Sequence, residues 1–323
     1  MGFPVPRVVF SRCLTFDNCR YNGQIIASEA VEQFRRVLDC VTPCPETDIG
    51  LGIPRDSIRM VKRGEGLRLV QPATGRDVTD EMRSWTRDFL DNLGPVDGFV
   101  LKGRSPSCGL FDVKLFGETS KGSALPGRIA GMFGAAVLER FPNLPIEDEG
   151  RLTNFSIREH FLTRVYVSAR FRELAAKPAM AGLVKFQAEN KLLLMAYNQA
   201  RMRELGRVVA NPDKLPVAEV FRRYAEVLPQ AFAKQPRHTS AINVLQHAAG
   251  YFKDRVSAAE KRFFSSALAS YRDGKVPLSV PQSIIRALVA RFGEKYLEQQ
   301  TFFTPYPEAL QFISDSGKGR RTD

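Results

Sequence analysis

The chain has 323 residues, of which 44% are apolar and 25% charged, with 24 Gly and 20 Pro. This composition is typical of a folded globular protein and excludes collagen-like, mucin-like and wholly disordered chains. The formal net charge of +12 is unevenly placed: residues 1–150 carry 19 Lys and Arg against 20 Asp and Glu, whereas residues 151–323 carry 28 against 15.

Length and hydropathy set the next limits. A single core stops growing at roughly 250–300 residues, so we expect two domains. No apolar run approaches the roughly 18–20 residues of a membrane span, and the first residues lack the pattern of a secretory signal. We therefore expect a cytoplasmic protein that has no contact with a membrane.

The first half predicts strands that alternate with helices. Short apolar runs predict strands at 5–10, 37–42, 96–101 and 144–146, and helical spacing predicts helices at 28–38, 79–93 and 128–140. A hairpin is expected near 67–78, after an irregular stretch that is rich in Gly, Pro and Arg. The alternation predicts a Rossmann-like open, mostly parallel sheet with helices on both faces.

The second half predicts an all-α domain, because long helical stretches are separated by turns that contain proline. The predicted organisation is an α/β domain at 1–150, a connecting helical segment at 151–181, a helical domain at 182–313 and a disordered tail at 314–323.

All five cysteines lie in the first 108 residues. Disulfides are a poor explanation in a cytosolic chain with an odd number of cysteines. Cys13, Cys44 and Cys108 each follow the carboxyl end of a different predicted parallel strand, which is the edge where open α/β sheets bind ligands. Cys40 lies inside a strand and is expected to be buried. Cys19 lies in a polar loop and is interpreted as a spare thiol.

Three converging thiolates without a fourth ligand are typical of two metal centres. They would hold zinc with one open position, or a [4Fe-4S] cluster in which one iron lacks a protein ligand. The only histidines, His160, His238 and His247, all lie in the second half. The spacing of the cysteines does not choose between zinc and iron.

Several motifs resemble known families. The segments SRCL (11–14), RYNG (20–23), CPE (44–46), PR (54–55) and SPSCG (105–109) resemble the thiouracil desulfidase (TudS) family over roughly residues 5–150. The segments KLLLMA (191–196), LGR (205–207), NVLQH (243–247), GYF (250–252), VPL (276–278) and YLEQQ (296–300) are similar to the YbgA-type helical domain. The chain thus resembles a fusion of the two modules.

The first resemblance implies a [4Fe-4S] cluster held by Cys13, Cys44 and Cys108, with one iron free to bind the sulfur of a thiolated base. The implied reaction is hydrolytic and involves no net electron transfer: 2-thiouracil and water give uracil and sulfide. An open iron is a soft Lewis acid that would bind this sulfur directly. A small thiolated nucleobase is therefore the expected substrate.

Four further residues are candidates for the site. Glu46 and Ser105 are expected to be catalytic, Glu46 by accepting a proton from water and returning one to the leaving sulfur. Ser107 and Arg55 are expected to bind the substrate. The plainer interpretations are a solvated loop acid for Glu46, backbone capping for the two serines, and an ion pair with Asp56 or Asp48 for Arg55.

Two positions depart from the family pattern. Arg12 stands where a small residue is common, and Cys19 stands where an apolar residue is common. Neither position is one of the three expected cluster ligands.

The excess positive charge of the second half leaves alternatives open. A basic helical domain would bind tRNA phosphates by counterion release, which makes a tRNA-binding or tRNA thio-modification protein the alternative function. A zinc-binding interaction module is a third. A solvated basic face is favoured over tRNA binding, because the basic residues are scattered over many helices. The sequence does not define the oligomeric state.

Overall fold

The computed structural model describes residues 2–117, 122 and 124–312. The tail predicted at 314–323 lies outside the described residues. The chain divides into two compact units, the first formed by Met1–Ala169 together with Tyr306–Asp323 and the second by Arg170–Pro305.

The first unit alternates strands and helices. In chain order they are β1 (Arg7–Phe10), α1 (Glu29–Phe34), β2 (Asp39–Val41), α2 (Pro45–Asp48), β3 (Arg59–Arg63), β4 (Gly66–Val70), α3 (Thr79–Asn92), β5 (Gly98–Leu101), β6 (Leu115–Phe116), α4 (Met132–Arg140), β7 (Ile146–Asp148), a 3-10 helix (Arg151–Thr153) and α5 (Phe155–Ala175), which continues into the second unit.

The main sheet has four parallel strands in the order β2-β1-β5-β7. Val8 of β1 pairs with Cys40 of β2 and with Gly98 of β5, which sets the register of these three adjacent strands. A smaller sheet has the order β4-β3-β6, in which β3 pairs antiparallel with β4 and parallel with β6. The predicted fold class, a mostly parallel α/β sheet followed by a helical region, is confirmed.

Both faces of the main sheet are covered, because successive side chains of a strand point to opposite sides. Val8, Phe10 and Val100 pack in one core cluster with side chains of α1 and α5. Val9, Phe99 and Leu101 pack in another cluster with side chains of α3 and α4. A strand that is buried on both faces consists of a continuous run of apolar residues. This is why VVF (8–10) and FVL (99–101) predicted strands from the sequence.

The hairpin predicted near 67–78 is present in a short form. Val70 at the end of β4 forms an antiparallel bridge with Asp77, and backbone hydrogen bonds of 2.8 Å run from Gln71 N to Arg76 O and from Val78 N to Leu69 O. A longer hairpin that was not predicted comes before it: β3 and β4 pair antiparallel and turn between Arg63 and Gly66. Strand β3 escaped prediction because only Met60 and Val61 of its five residues are buried, so its charged residues look like a loop.

The end of the described chain returns to the first unit. Tyr306 and Leu310 are buried in the same core cluster as Phe161 of α5. Arg158 of α5, only 2% exposed, donates a hydrogen bond of 2.8 Å to the carbonyl of Phe312. The second unit is therefore an insertion between α5 and a short closing segment of the first.

The second unit is helical in its described residues. Its helices after α5 are α6 (Met180–Glu189), α7 (Lys191–Tyr197), α8 (Gln199–Ala210), α9 (Val217–Ala231), α10 (His238–Gly250), α11 (Ala258–Arg272), α12 (Ser279–Phe292) and α13 (Lys295–Glu298). The rings of Phe171, Phe186 and Tyr224 pack together, with centroids 5.5–6.0 Å apart. The domain limits predicted from the sequence stay a proposal; the 151–181 segment includes the whole of α5.

Membrane-spanning helices are not found in the described part of the chain, where no helix is both long enough and apolar enough to cross a bilayer.

Candidate active site

The three predicted cysteines follow three adjacent strands of the parallel sheet. Cys13 follows β1, Cys44 follows β2 and Cys108 follows β5, and these strands are neighbours in the order β2-β1-β5. The segment after β1 is hydrogen-bonded to both neighbours: Ser11 N donates to Val100 O at 3.0 Å, and Arg12 N donates to Pro43 O at 2.9 Å. The carboxyl ends of parallel strands meet at one edge, so the topology brings the three loops together.

Arg12 fixes the loop that carries Cys44. Its Nε donates to Thr42 O at 2.8 Å, and its guanidinium forms an ion pair with Asp48 at 3.1 Å. Asp48 Oδ2 in turn accepts a hydrogen bond from the backbone N of Cys44 at 3.2 Å. The departure noted at Arg12 thus has a structural role, because the side chain connects the β1 and β2 loops.

The SPSCG turn holds Cys108 by local hydrogen bonds. Ser105 accepts from Cys108 N through its Oγ at 3.1 Å and from Gly109 N through its carbonyl at 2.8 Å. The turn packs tightly on the start of α4: a Cβ at Gly134 would lie 2.3 Å from the Gly109 carbonyl oxygen. Glycine is therefore required there for the backbones to approach, and this contact fixes the position of Cys108.

Glu46, Ser105, Ser107 and Arg55 form one connected network. Ser107 Oγ donates to Glu46 Oε1 at 2.8 Å, and the hydroxyls of Ser105 and Ser107 are 2.9 Å apart. Arg55 binds Glu46 Oε2 through Nε at 3.0 Å and Nη2 at 2.8 Å. The network joins the loop after β2 to the loop after β5.

The ion pair in this network is shielded from solvent. The side chain of Arg55 is 3% exposed and that of Glu46 is 14% exposed. The plainer alternatives, a solvated loop acid for Glu46 and an ion pair with Asp56 or Asp48 for Arg55, are therefore wrong. Buried charge pairs are costly to form, so their stability depends on excellent geometry and further hydrogen bonds, as here.

The plainer interpretation, backbone capping, holds for Ser105, and the roles predicted for both serines at a substrate stay predictions. Ser105 caps the backbone of the turn, and its Oγ also lies 3.5 Å from Glu46 Oε1. Ser107, 1% exposed, donates to Glu46 and also lies with its Oγ 3.7 Å from Cys108 Sγ. The carboxylate is thereby linked to the thiol.

Cys19 was not predicted as part of this site, but it lies in it. It is 1% exposed. Its carbonyl accepts a hydrogen bond of 3.0 Å from Arg55 Nη1 and a contact of 4.0 Å from Cys44 Sγ. A polar loop did not indicate this burial, and no local pattern signals it, since Asn18 before it is exposed. The interpretation of Cys19 as a spare thiol stays a prediction.

The raised pKa values of Cys19, Cys44 and Cys108 mean that these three thiols retain their protons readily. Hydrogen bonding to Cys13, with a further contribution from burial, raises the pKa of Cys19 to about 11. Hydrogen bonding to Cys19 and burial raise the pKa of Cys44, and burial raises the pKa of Cys108 to about 12. Metal ligation requires thiolates, so binding of a cation here would release protons.

Cys40 lies apart from this group. It is half-buried in β2 and packs beside the core, with its Sγ 3.5 Å from the Leu38 carbonyl oxygen. Burial raises its pKa to about 11. Cys40 is therefore a packing residue, less buried than predicted.

The donor chemistry fits an iron-sulfur cluster. Thiolates are its usual protein ligands, and the loops after three adjacent strands supply Cys13, Cys44 and Cys108. Among the described residues, no group of three or more His, Cys, Asp or Glu is placed to hold a metal ion. In a cubane each thiolate binds a different iron, so its ligands do not need to converge on one point.

Comparison with known proteins agrees with this division of the chain. Residues 8–149 match the family model for 2-thiouracil desulfurase, and residues 191–307 match the model for a protein of unknown function, DUF1722. The chain therefore resembles a 2-thiouracil desulfurase domain in its first part and a DUF1722 domain in its second, each over less than half of its length.

The relatives each cover one part of the chain. The uncharacterized protein YbgA of Escherichia coli K12 is 24% identical over 48% of this chain and 82% of its own length. The uncharacterized protein YbbK of Bacillus subtilis 168 is 28% identical over 41% of this chain and 93% of its own. A solved structure, described as the [4Fe-4S]-dependent thiouracil desulfidase TudS, is 26% identical over 46% of this chain and 93% of its own, with a TM-score of 0.36.

Proposed function

We propose that the chain is a desulfidase that hydrolyses a thiolated pyrimidine, converting 2-thiouracil and water into uracil and sulfide. The observation that carries the proposal is the pairing of two features at one sheet edge. Three thiol-bearing loops follow β1, β2 and β5, and the Glu46 carboxylate is fixed between the second and third of them. Both features lie in the region that matches the desulfurase family.

Cys13, Cys44 and Cys108 would hold a [4Fe-4S] cluster. When bound, the cluster would supply an iron without a protein ligand, a soft acid that binds the substrate sulfur and makes the attached carbon more electrophilic. The burial of Cys44 and Cys108 favours a soft, weakly hydrated site for this purpose.

Glu46 is the proposed proton carrier. Replacement of sulfur by oxygen moves both hydrogens of the attacking water to the leaving sulfur or to solvent, and a carboxylate beside the reacting carbon would accept the first of them. Ser107 and Arg55 hold the two oxygens of Glu46 from opposite sides. Arg55 is thus a positioning residue for Glu46, in place of the substrate-binding role expected from the sequence.

Ser105 is the proposed polar contact for the base. Its hydroxyl is within hydrogen-bond distance of Ser107 Oγ and lies at the outer end of the Glu46 network. Ser107 is 1% exposed, so it has the smaller role at the substrate and the larger role in orienting Glu46.

The direct test is anaerobic reconstitution followed by assay on free 2-thiouracil. We expect about four irons per chain, the broad visible absorbance of a thiolate-bound cluster, and equal amounts of uracil and sulfide. The metal-free protein, treated identically, is the control. A fully reconstituted protein that releases neither product contradicts the proposal.

The tRNA alternative rests on the charge of the second half. Residues 151–323 carry a net charge of +13, but several of the basic side chains are paired within their own helices, such as Arg201 with Glu204 and Arg222 with Glu219. Assay of thiolated tRNA beside the free base distinguishes the two substrates. Affinity for tRNA that falls steeply with salt, without turnover of the free base, would favour the alternative.

A further inference from the structure

Helices α3 and α4 of the first unit form a groove whose lining residues all lie outside the candidate active site. The groove has a volume of about 510 Å³. This lies within the range of roughly 300–1,000 Å³ that is usual for small-molecule sites. Arg83, Arg87 and Leu90 line it from α3, and Met132 and Ala136 line it from α4. The groove is therefore large enough for a small organic ligand.

The lining also contains a buried hydroxyl that makes no hydrogen bond. Thr86 of α3 lines the groove and is 5% exposed, and its Oγ1 has no hydrogen-bond partner among the described residues. Nearly all buried polar groups in folded proteins are hydrogen-bonded, so an unpaired one requires an explanation. A ligand in the groove would supply the missing partner.

The arginines that line the groove from α3 are only loosely paired with carboxylates. Arg83 Nη1 lies 3.7 Å from Asp80 Oδ1, and Arg87 Nε lies 3.7 Å from Asp88 Oδ1. Both distances are too long for a hydrogen bond. The two arginine side chains are 57% and 69% exposed. Exposed pairs of this kind are weak, so both guanidinium groups can turn towards a ligand at little cost.

The carboxylates in the lining do not cancel this positive charge. Asp91 of α3 forms an ion pair of 3.3 Å with Arg140 of α4, and both residues line the groove. Glu139 is the other acidic residue of the lining. The guanidinium groups of Arg83 and Arg87 therefore remain against a single carboxylate, and the lining favours an anion.

We propose that this groove binds a small aromatic anion, which carries a carboxylate or sulfonate on its ring system. Arg83 and Arg87 would pair with the acid group, because guanidinium groups match the geometry of such oxygens. The rings would pack on Leu90 and on the thioether of Met132, which attracts aromatic rings. The Thr86 hydroxyl would hydrogen-bond to a polar atom of the ligand. This site is independent of the proposed cluster and of its substrate.

The test uses anilinonaphthalene sulfonate, an aromatic sulfonate that becomes fluorescent in apolar surroundings. The full-length, iron-free chain is titrated with this probe, and calorimetry counts the sites. Trp85 is the only tryptophan and precedes Thr86 in α3, so energy transfer from it reports binding near this helix. Phenylnaphthylamine has the same rings without the sulfonate. We expect it to bind at least about tenfold more weakly, because it lacks the charged hydrogen bonds.

Substitutions in the lining locate the anion. The double variant Arg83→Gln, Arg87→Gln should bind the sulfonate at least about tenfold more weakly and leave the affinity for phenylnaphthylamine nearly unchanged. Glu139→Gln removes the opposing carboxylate and should strengthen sulfonate binding about twofold. Arg36→Gln removes a 61% exposed charge elsewhere in the first unit, so it is the matched control and should bind like wild type.

Thr86→Val separates a ligand contact from a packing role. Valine has nearly the same shape as threonine and removes only the hydroxyl, which has no partner in the free protein. The variant should therefore be at least as stable as wild type, yet bind the sulfonate about threefold more weakly or worse.

Three results would overturn the proposal. Equal affinities of the double arginine variant and Arg36→Gln would place the probe outside the groove. Equal affinities for the charged and the uncharged probe would make the groove an apolar surface without recognition of an anion. A less stable Thr86→Val with unchanged affinity would give the hydroxyl a structural role. None of these results bears on thiouracil desulfuration, which is measured separately on the reconstituted protein.

Discussion

The ion pairs of the two units differ in their exposure to solvent. In the first unit, the side chain of Arg55 is buried and that of Glu46 is largely buried, and the pair connects loops from different strands. In the second, Arg222 lies between Glu219 and Glu226 on the surface of one helix, 57% exposed. Exposed pairs within a helix add little to stability, because water and salt screen them. A buried pair must be matched closely by its surroundings, so its presence beside the cysteines points to a function for the carboxylate.

The two units also differ in how closely the chain packs around a helical glycine. Gly134 in α4 has no room for a side chain, because the turn that carries Cys108 lies against it. Gly206 in α8 has its nearest outside atom, Gln187 Nε2, 3.8 Å from an added Cβ, which is ordinary contact. Close packing in the first unit thus serves to position the site, whereas the helical unit tolerates change at this position.

The largest effect is expected from Cys44→Ser. Loss of one of three thiolates should abolish stable cluster binding and reduce sulfide release to less than about 1% of wild type, because hydroxyl oxygen is a poor ligand for iron in such a cluster. Iron content and sulfide release are the measurements, and Cys40→Ser is the matched control. Equal iron content in the two variants would remove Cys44 from the ligand set.

The next largest effect is expected on the free energy of unfolding of the first unit. Arg55→Met leaves Glu46 buried without its ion-pair partner, which should destabilise the first unit by about 3 kcal/mol, the low end for a broken buried pair because Ser107 still donates to the carboxylate. The only tryptophan, Trp85, lies in α3. Its fluorescence during urea unfolding therefore reports on the first unit.

Arg222→Met is the control for this comparison. Arg222 belongs to the exposed pairs of α9, so its replacement should leave the tryptophan transition unchanged. Equal unfolding midpoints for the Arg55 and Arg222 variants would show that burial of the Arg55 pair does not matter for stability.

The central strands and several candidate site residues of the first unit could be predicted from the sequence, because they follow local patterns. The runs VVF and FVL gave the central strands, and the loops after them gave Cys13, Cys44 and Cys108. Glu46 was identified by its place beside Cys44 and by the family resemblance. These features depend on residues that are close in sequence, so strand ends and the adjacent motif were sufficient to select them.

Other parts depend on tertiary contacts that no local pattern encodes. The pairing of Arg55 with Glu46 follows from the folding of the segment between them, and Arg55 also donates a hydrogen bond to the carbonyl of the buried Cys19. Tyr306 and Leu310 return to the first unit after the whole helical insertion, and too few residues take part to give a periodic signal. The desulfurase family match ends before these residues.

Glu46→Gln tests the chemical side of the buried network. The amide keeps the size of the side chain and a hydrogen-bond acceptor for Ser107, but it accepts no proton at neutral pH. We expect iron content and tryptophan unfolding close to wild type, with turnover lowered by roughly 100-fold, the usual scale of general acid–base catalysis. Unchanged turnover would assign Glu46 a purely structural role.

The smallest effects come from the two glycines, and they should differ in sign. Gly134→Ala places a Cβ 2.3 Å from the Gly109 carbonyl oxygen and 2.8 Å from that of Cys108. The turn must shift, so the first unit should lose about 1–3 kcal/mol, the usual cost of overpacking, and retain less iron. Gly206→Ala adds a methyl group with no close contact and restricts the unfolded chain, which should stabilise the second unit by about 0.5–1 kcal/mol.

The measurements for these variants follow from their positions. Tryptophan fluorescence reports the effect of Gly134→Ala, and the thermal loss of helical circular dichroism reports that of Gly206→Ala. Loss of stability in both variants would mean that the helical unit is packed as tightly at α8 as the first unit is at α4. A neutral Gly134→Ala with full iron content would mean that the Cys108 turn can move without cost, and the rigid placement argued for that thiol would not hold.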